Sequence, residues 1–370
     1  MRKKIIQTLF FYFALLSMKG QDPVSSQFFF NELYMNPAFC GLKRDARVGL
    51  DYRRQWLGVP GKLETYDCWG DIYSNIFNGG LGFMASQDVS GDGLLKTSSV
   101  GIIQSFEYTI PKIIRIRAGF NVSGVQKRID WNRLVFSDQL DPSLGNIYES
   151  NVDRLYSRVR TFADFGAGTM FDFKMIKTHH ANIMNTFGYA CSHLTQPDES
   201  LSGAENKRLP RRHTFHFTNT IEFVGNGTNE HKWYVSPNII YDRQGEGTGK
   251  GTFPFRKQAQ FSSFNVGAFV MYSPTIVGFF YRKKTALNFT DNDCFILFLG
   301  LRQEIHEKTI LKFGYSYDFT ISGISSNTLG SHEISLSVEF KGKTLKLKTK
   351  KRLFRSNIDC EDFGQPSFVF

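Results

Sequence analysis

Few residues of this chain are spaced for chemistry, and each candidate fails on its own geometry. Gly245-Glu-Gly-Thr-Gly-Lys250-Gly251 is superficially like a phosphate-cradling loop. That motif needs Gly at position 244 and Ser or Thr at 251, where Gln244 and Gly251 stand, so the stretch reads as a flexible outer loop. His179-His180 lacks carboxylates at ligand spacing. His332 and Ser335 lie three apart in a strand-like run and face opposite sides, so they cannot act as base and nucleophile. Asp88, Asp92 and the Gly91-Asp92-Gly93 turn are accounted for by turn chemistry. The five cysteines, Cys40, Cys68, Cys191, Cys294 and Cys360, are odd in number and never form Cys-x-x-Cys. Cys40 and Cys360 lie outside the expected strands and could pair in an oxidising compartment; the others read as small apolar fillers. No enzyme, cofactor or metal centre is expected.

Binding chemistry is easier to find. Between Gln21 and Asp45 lie Phe28, Phe29, Phe30, Leu33, Tyr34, Met35 and Phe39, with Asn36-Pro37 among them. That much apolar surface does not stay loose in water; it must enter a cavity, cover an opening or bind a partner. The loop 128–158, which carries Trp131, Asp138 and Asp141, is too long for a mere connector and is a candidate lid or binding surface. Lys341, Lys343, Lys346, Lys348, Lys350, Lys351, Arg352 and Arg355 make the tail 341–370 basic, which fits a solvated end or an acidic partner.

The elements that must position these groups are strands. Of 370 residues 15% are aromatic, including 37 Phe, and Gly (33) outnumbers Pro (11), a strand-rich balance that excludes disorder. Arg2, Lys3 and Lys4 followed by the apolar run 5–17 (IIQTLFFYFALLS) read as a secretory signal peptide over 1–20, cleaved after Gly20. No later apolar run reaches transmembrane-helix length. Removing Arg2, Lys3, Lys4 and Lys19 leaves 41 basic against 34 acidic residues, near +7. Nucleic acid is a poor partner for an exported chain.

From residue 46 to 340 polar and apolar residues alternate. Val48, Leu50 and Tyr52 interleave with Arg47, Asp51 and Arg53; Ile114, Ile116, Ala118 and Phe120 with Arg115, Arg117 and Asn121; Ile334, Leu336, Val338 and Phe340 with Glu333, Ser335 and Glu339. About fourteen such segments follow, mostly 10 to 15 residues long, the length of tilted membrane strands. Connections alternate long (57–62, 89–94, 128–158, 195–211, 243–257, 322–330) and short (75–78, 110–112, 175–180, 225–230, 274, 306–308). Short periplasmic turns and long outer loops are the mark of an outer-membrane barrel, here with both termini periplasmic. Trp56, Trp69, Tyr73, Tyr108, Trp233, Tyr241, Tyr272, Tyr281, Tyr315 and Tyr317 are placed to form interfacial girdles. The expected fold is all-β: a transmembrane antiparallel β-barrel of about 14 strands over 46–340, between a lumen or periplasmic segment 21–45 and the tail. Outer-membrane lipid is its expected surround.

The chain resembles the PorP/SprF family of the type IX secretion system of Bacteroidetes. The resemblance rests on Gln27-Phe28, Asn36-Pro37-Ala38-Phe39, Tyr52-Arg53 with Gln55-Trp56, and Gly58-Val59-Pro60-Gly61. It continues through Gly79-Gly80-Leu81-Gly82, Arg117-Ala118-Gly119, Asp130-Trp131, Asp138-Gln139, Asp141-Pro142 and His193-Leu194-Thr195-Gln196-Pro197. Ser236-Pro237-Asn238, Gly314-Tyr315-Ser316-Tyr317-Asp318 and Gly330-Ser331-His332-Glu333 complete it. Cys40, at a place more often small and aliphatic, and the extended basic tail depart from the pattern. The resemblance implies an outer-membrane barrel serving export or anchoring of surface proteins such as gliding adhesins, held through their C-terminal domain. It also implies contact with a periplasmic peptidoglycan-binding protein and a motor-coupled ring complex. Phe28, Phe29, Phe30, Asn36, Pro37, Phe39, Trp131, Asp138 and Asp141 are the expected partner-binding residues. A channel for small solutes is the competing reading. A plug made by 21–45 would favour the first, an open lumen the second.

Overall fold

The computed structural model describes residues 22–59, 61–91, 95–111, 113–130, 134, 137–141, 143–148, 159–173, 175–201, 208–223, 233–250, 257–286, 292–321 and 328–345. Fourteen long strands account for most of them: β1 Ala46–Gln55, β2 Lys62–Ser74, β3 Gly79–Gly91, β4 Leu95–Ile110, β5 Ile114–Ile129, β6 Val159–Phe173 and β7 Ala181–Ser192. The second half comprises β8 Arg212–Phe223, β9 Trp233–Lys250, β10 Lys257–Tyr272, β11 Thr275–Ala286, β12 Asn292–His306, β13 Thr309–Thr320 and β14 Ser331–Phe340. Each pairs antiparallel with its sequence neighbours, and β14 returns to β1 from Ala46 opposite Phe340 to Gln55 opposite Ser331. The sheet closes into a barrel with no exposed edge, the condition under which strands can cross a bilayer.

Alternation sorts the side chains. Along β14, Glu333, Ser335, Ser337 and Glu339 are buried inward while Ile334, Leu336 and Phe340 point out. Val100 and Ile102 of β4 are 67% and 70% exposed, and Leu50, Phe120, Phe217, Phe279, Leu299 and Phe313 continue the belt around the barrel. An apolar band of this extent belongs in lipid. Among the described residues, no helix is long and apolar enough to cross a membrane.

Three expectations need correction. Strands absorb expected loop: β3 reaches Gly91, and β9 continues through 245–250 as a ribbon paired with β10. The glycine-rich stretch is therefore a strand end, with Gly245 at φ +72° and a register shift between Glu246 and Lys250, not a flexible loop. Loop asymmetry is accordingly weaker than expected, because the spacing between the end of β8 at Phe223 and the start of β9 at Trp233 is as long as some outer connections. The girdles lose Trp69 and Tyr73, which are buried: both share a face of β2 with Asp71, opposite inward-facing residues. Tyr108 stays exposed, as do Trp233 and Tyr272, whose rings stack at 4.5 Å near the ends of β9 and β10.

Candidate functional site

The lumen is not empty. Residues 22–45 run through it, with one helical turn (α1, Glu32–Met35) and a 3-10 turn (Pro37–Phe39) as their only regular structure. With short turns facing the periplasm, β1 starts at the periplasmic rim and rises outward. Asp22 meets His193, Arg212 and Gln244, at the outer ends of β7, β8 and β9. Asp45 accepts from the Gly342 amide at the periplasmic rim. The segment thus descends the whole lumen before turning back into β1. Asp22, the first described residue, lies at the end of the lumen opposite the rim that holds Asp45, bound by polar groups at the ends of β7, β8 and β9.

Two kinds of surface hold this plug. Toward β10–β12 it is aromatic. Phe29 packs edge-on to Phe269 and Phe298 with ring centroids 4.0 and 4.6 Å away, Phe28 meets Phe280 at 5.3 Å, and Phe30 meets Phe298 at 6.0 Å. Met271, Ile276 and Ile296 complete the patch. Barrel interiors are ordinarily polar; here the wall is apolar because it faces apolar plug.

Elsewhere the contact is charged. Arg47 of β1 joins Asp71 of β2 to plug Glu32, both ion pairs at 2.9 Å. Arg53 reaches Ser26, Asp318 and Glu333 at 2.7 to 2.9 Å. Arg117, fully buried and paired with Glu107, donates to the plug carbonyls of Ala38 (3.0 Å) and Cys40 (2.8 Å), and Arg282 donates to that of Ser25 (3.0 Å). These arginines do two jobs. They neutralise buried carboxylates, and they satisfy backbone carbonyls that a non-helical, non-sheet segment would leave orphaned in a closed lumen.

Asn36-Pro37-Ala38-Phe39 is the tightest joint. The Asn36 side chain accepts from the Ala38 amide (2.9 Å), starting the 3-10 turn, and donates to Thr169 O of β6 (3.0 Å). The wall has glycine where the plug presses closest: a Cβ on Gly119 would lie 2.4 Å from the Pro37 carbonyl carbon, and one on Gly80 would lie 2.3 Å from that of Cys40. Arg117-Ala118-Gly119 therefore works as a unit, its arginine gripping the plug and its glycine admitting it. Cys40 is a fully buried free thiol; Cys360 lies outside the described residues.

The outer end of the plug is clasped electrostatically. His193, just after β7, has Nε2 2.8 Å from Asp22 Oδ2 and Nδ1 2.9 Å from Asp164 Oδ2, the geometry of an imidazolium donating twice. Burial alone would pull its pKa down; the Asp22 carboxylate and the hydrogen bonds to Asp164 and Asp22 outweigh that and raise it to about 10. Burial would push Asp22 up, but His193 and Arg212 hold it well below the usual carboxylate range. The His193 contribution is complete below its unfolded value near 6.5 and is lost as pH rises through about 10. The Asp22 contribution is present above its unfolded value near 3.8 and fades only in strong acid. Replacing His193 by Gln should accelerate amide exchange of residues 22–26 at neutral pH by roughly tenfold or more, from the loss of charge-assisted hydrogen bonds; hydrogen-exchange mass spectrometry reads it.

Of the expected partner-binding residues, Phe28, Phe29, Phe30, Asn36, Pro37 and Phe39 come together inside the barrel, buried against the wall. Asp138 is exposed in the outer loop, on a 3-10 turn. Asp141 commits its carboxylate to its own turn, accepting from the Ser143 and Leu144 amides at 2.8 and 2.9 Å. Trp131 lies outside the described residues. The wall aromatics Phe269, Phe280 and Phe298 were not anticipated. Their signal was in the sequence: Phe295 to Leu301 (FILFLGL) does not alternate, the mark of a strand apolar on both faces.

Among solved structures, the CymD monoaromatic hydrocarbon channel is similar over 87% of this chain and 94% of its own, at 12% identity and TM-score 0.42. The Ralstonia pickettii toluene transporter TbuX matches 83% of this chain and 92% of its own, at 10% identity and TM-score 0.41. The KdgM porin matches 80% of this chain and 99% of its own, at 6% identity and TM-score 0.32. No curated protein matches the chain. The family described as type IX secretion system membrane protein PorP/SprF matches residues 17–338. With a closed barrel belted in apolar residues and a family match over most of its length, the chain belongs to the PorP/SprF family of type IX secretion system membrane proteins and is an outer-membrane β-barrel.

Proposed function

We propose that the protein is a non-enzymatic component of the type IX secretion machinery that supports export or surface anchoring of a partner protein, such as a gliding adhesin, held through its C-terminal domain. It reaches the outer membrane through a signal peptide, residues 1–20, that is removed on export. The periplasmic rim, where the plug, β1 and residues 341–345 converge, faces the peptidoglycan-binding protein and the ring complex. The outer loop bearing Trp131, Asp138 and Asp141 faces the client. The observation that supports this reading is the occupied lumen: a segment held along its length by aromatic packing and by Arg47, Arg53, Arg117 and Arg282 suits a rigid scaffold better than a diffusion pore for small solutes.

Affinity purification of the tagged protein from outer membranes, followed by mass spectrometry, tests it. Periplasmic ring components and a large surface protein are expected to co-purify. Recovery of the barrel with lipid alone would contradict the proposal.

A further inference from the structure

We propose that a row of oxygen-bearing side chains on the inner wall, Ser335, Asp51, Asp67 and Ser86, is a calcium site. Asp51 of β1 lies directly opposite Ser335 of β14 and Asp67 of β2, and Asp67 lies directly opposite Ser86 of β3. Directly opposed residues share a face, with Cβ atoms about 4.5–5.5 Å apart. All four therefore point into the lumen in one line across four strands. Three of their oxygens, Ser335 Oγ, Asp51 Oδ1 and Asp67 Oδ1, are buried without a hydrogen-bond partner. Ser335 is fully buried and Asp51 is 9% exposed.

Among the described residues, no cation pairs with this row. Arg53, two residues along β1, is engaged by Asp318 and Glu333, and Arg47 by Asp71 and Glu32. Among the described residues, neither Asp51 nor Asp67 has an ion-pair partner; the Trp69 indole Nε1 donates to Asp51 Oδ2 at 2.8 Å, and the neutral side chains of Ser335 and Asn31 stand beside Asp51. Two carboxylates set face to face in a closed wall repel each other and are costly to bury without a countercharge. Three unpartnered buried oxygens in the same line show where that countercharge belongs.

The donor set selects the ion. Calcium takes carboxylates in one- or two-oxygen mode, tolerates irregular geometry and completes its six to eight oxygen ligands with water. Magnesium demands a stricter octahedron, and zinc prefers nitrogen and sulfur, which the row lacks. An ion here would tie β14, β1, β2 and β3 together beside the plug, since Asn31 also approaches Asp51.

The adjacent Trp69 supplies a readout. Terbium, as a calcium probe, should bind the purified mature protein saturably, give emission sensitised through Trp69, and be displaced by calcium with half-effect at or below about 1 mM, the range of extracellular calcium modules. Trp69→Phe should abolish that emission while calorimetry still detects calcium binding. Asp67→Asn should weaken calcium at least tenfold. Asp88→Asn removes the same charge from a carboxylate already bound by Thr65 and Ser90, so it should leave the affinity within about twofold. Should Asp67→Asn not fold, Ser335→Ala carries the test, with at least a threefold loss expected. Absence of saturable calcium binding would overturn the proposal, and a pair that answers only to pH would mean a shared proton instead. Equal losses in Asp67→Asn and Asp88→Asn would reduce it to diffuse attraction and overturn it as well.

Discussion

Replacing Phe28, Phe29 and Phe30 together by serine is expected to leave the fourteen-stranded wall standing and to release the plug from it. The three rings are 7%, 2% and 4% exposed and pack on Phe269, Phe280 and Phe298. Each truncation of a buried Phe costs about 3–5 kcal/mol, and the serines add hydroxyls with no partner on that apolar wall. The polar contacts are not an adequate reserve, because each already offsets the burial of a charge or a carbonyl. The wall itself does not need these rings: its backbone ladders close without them. Limited proteolysis should cut within residues 22–45 of the variant but not of the wild type, while heat-modifiable migration on gels shows both barrels folded. Equal protection of the plug would mean that the aromatic patch does not hold it.

Phe120→Arg carries the second large effect, on the opposite face of the wall. Phe120 sits mid-strand in β5, 41% exposed toward lipid and stacked on Phe106, while its neighbours Arg117 and Gly119 serve the plug on the inner face. An arginine at the bilayer midplane should destabilise the barrel by about 2–4 kcal/mol. Equilibrium unfolding in bilayers measures it. An unchanged midpoint would mean that Phe120 does not face hydrocarbon and that the inside and outside of β5 are exchanged.

The two faces of β5 show how much was legible in the sequence. Strict alternation in 46–56, 114–122 and 333–340 is a local property of the pleat, so it located strands and set Arg47, Arg53, Arg117 and Glu333 on the face opposite the apolar one before any pairing was known. Two things were not local. The phase of Trp69 and Tyr73 followed from the register of β2 against β1, and aromatic identity near a strand end could not show whether the ring met lipid or lumen. The apolar inner patch of β10–β12 breaks alternation because the plug, more than two hundred residues away in the chain, covers it. The apolar character of 21–45 demanded burial, and the direction of its path emerged only from pairings such as Asp22 with His193. The glycine-rich stretch 245–250 looked like a loop because glycine has poor strand propensity; its partner in β10 overrides that preference.

The central claim is that this barrel is sealed by its own N-terminal segment. Planar-bilayer recording of the purified wild-type protein tests it most directly. The account predicts an inserted barrel that passes no steady current, with conductance appearing once the Phe28, Phe29 and Phe30 substitutions free the plug. A steady, ohmic conductance from the wild type would contradict it and would return the protein to the solute-channel reading.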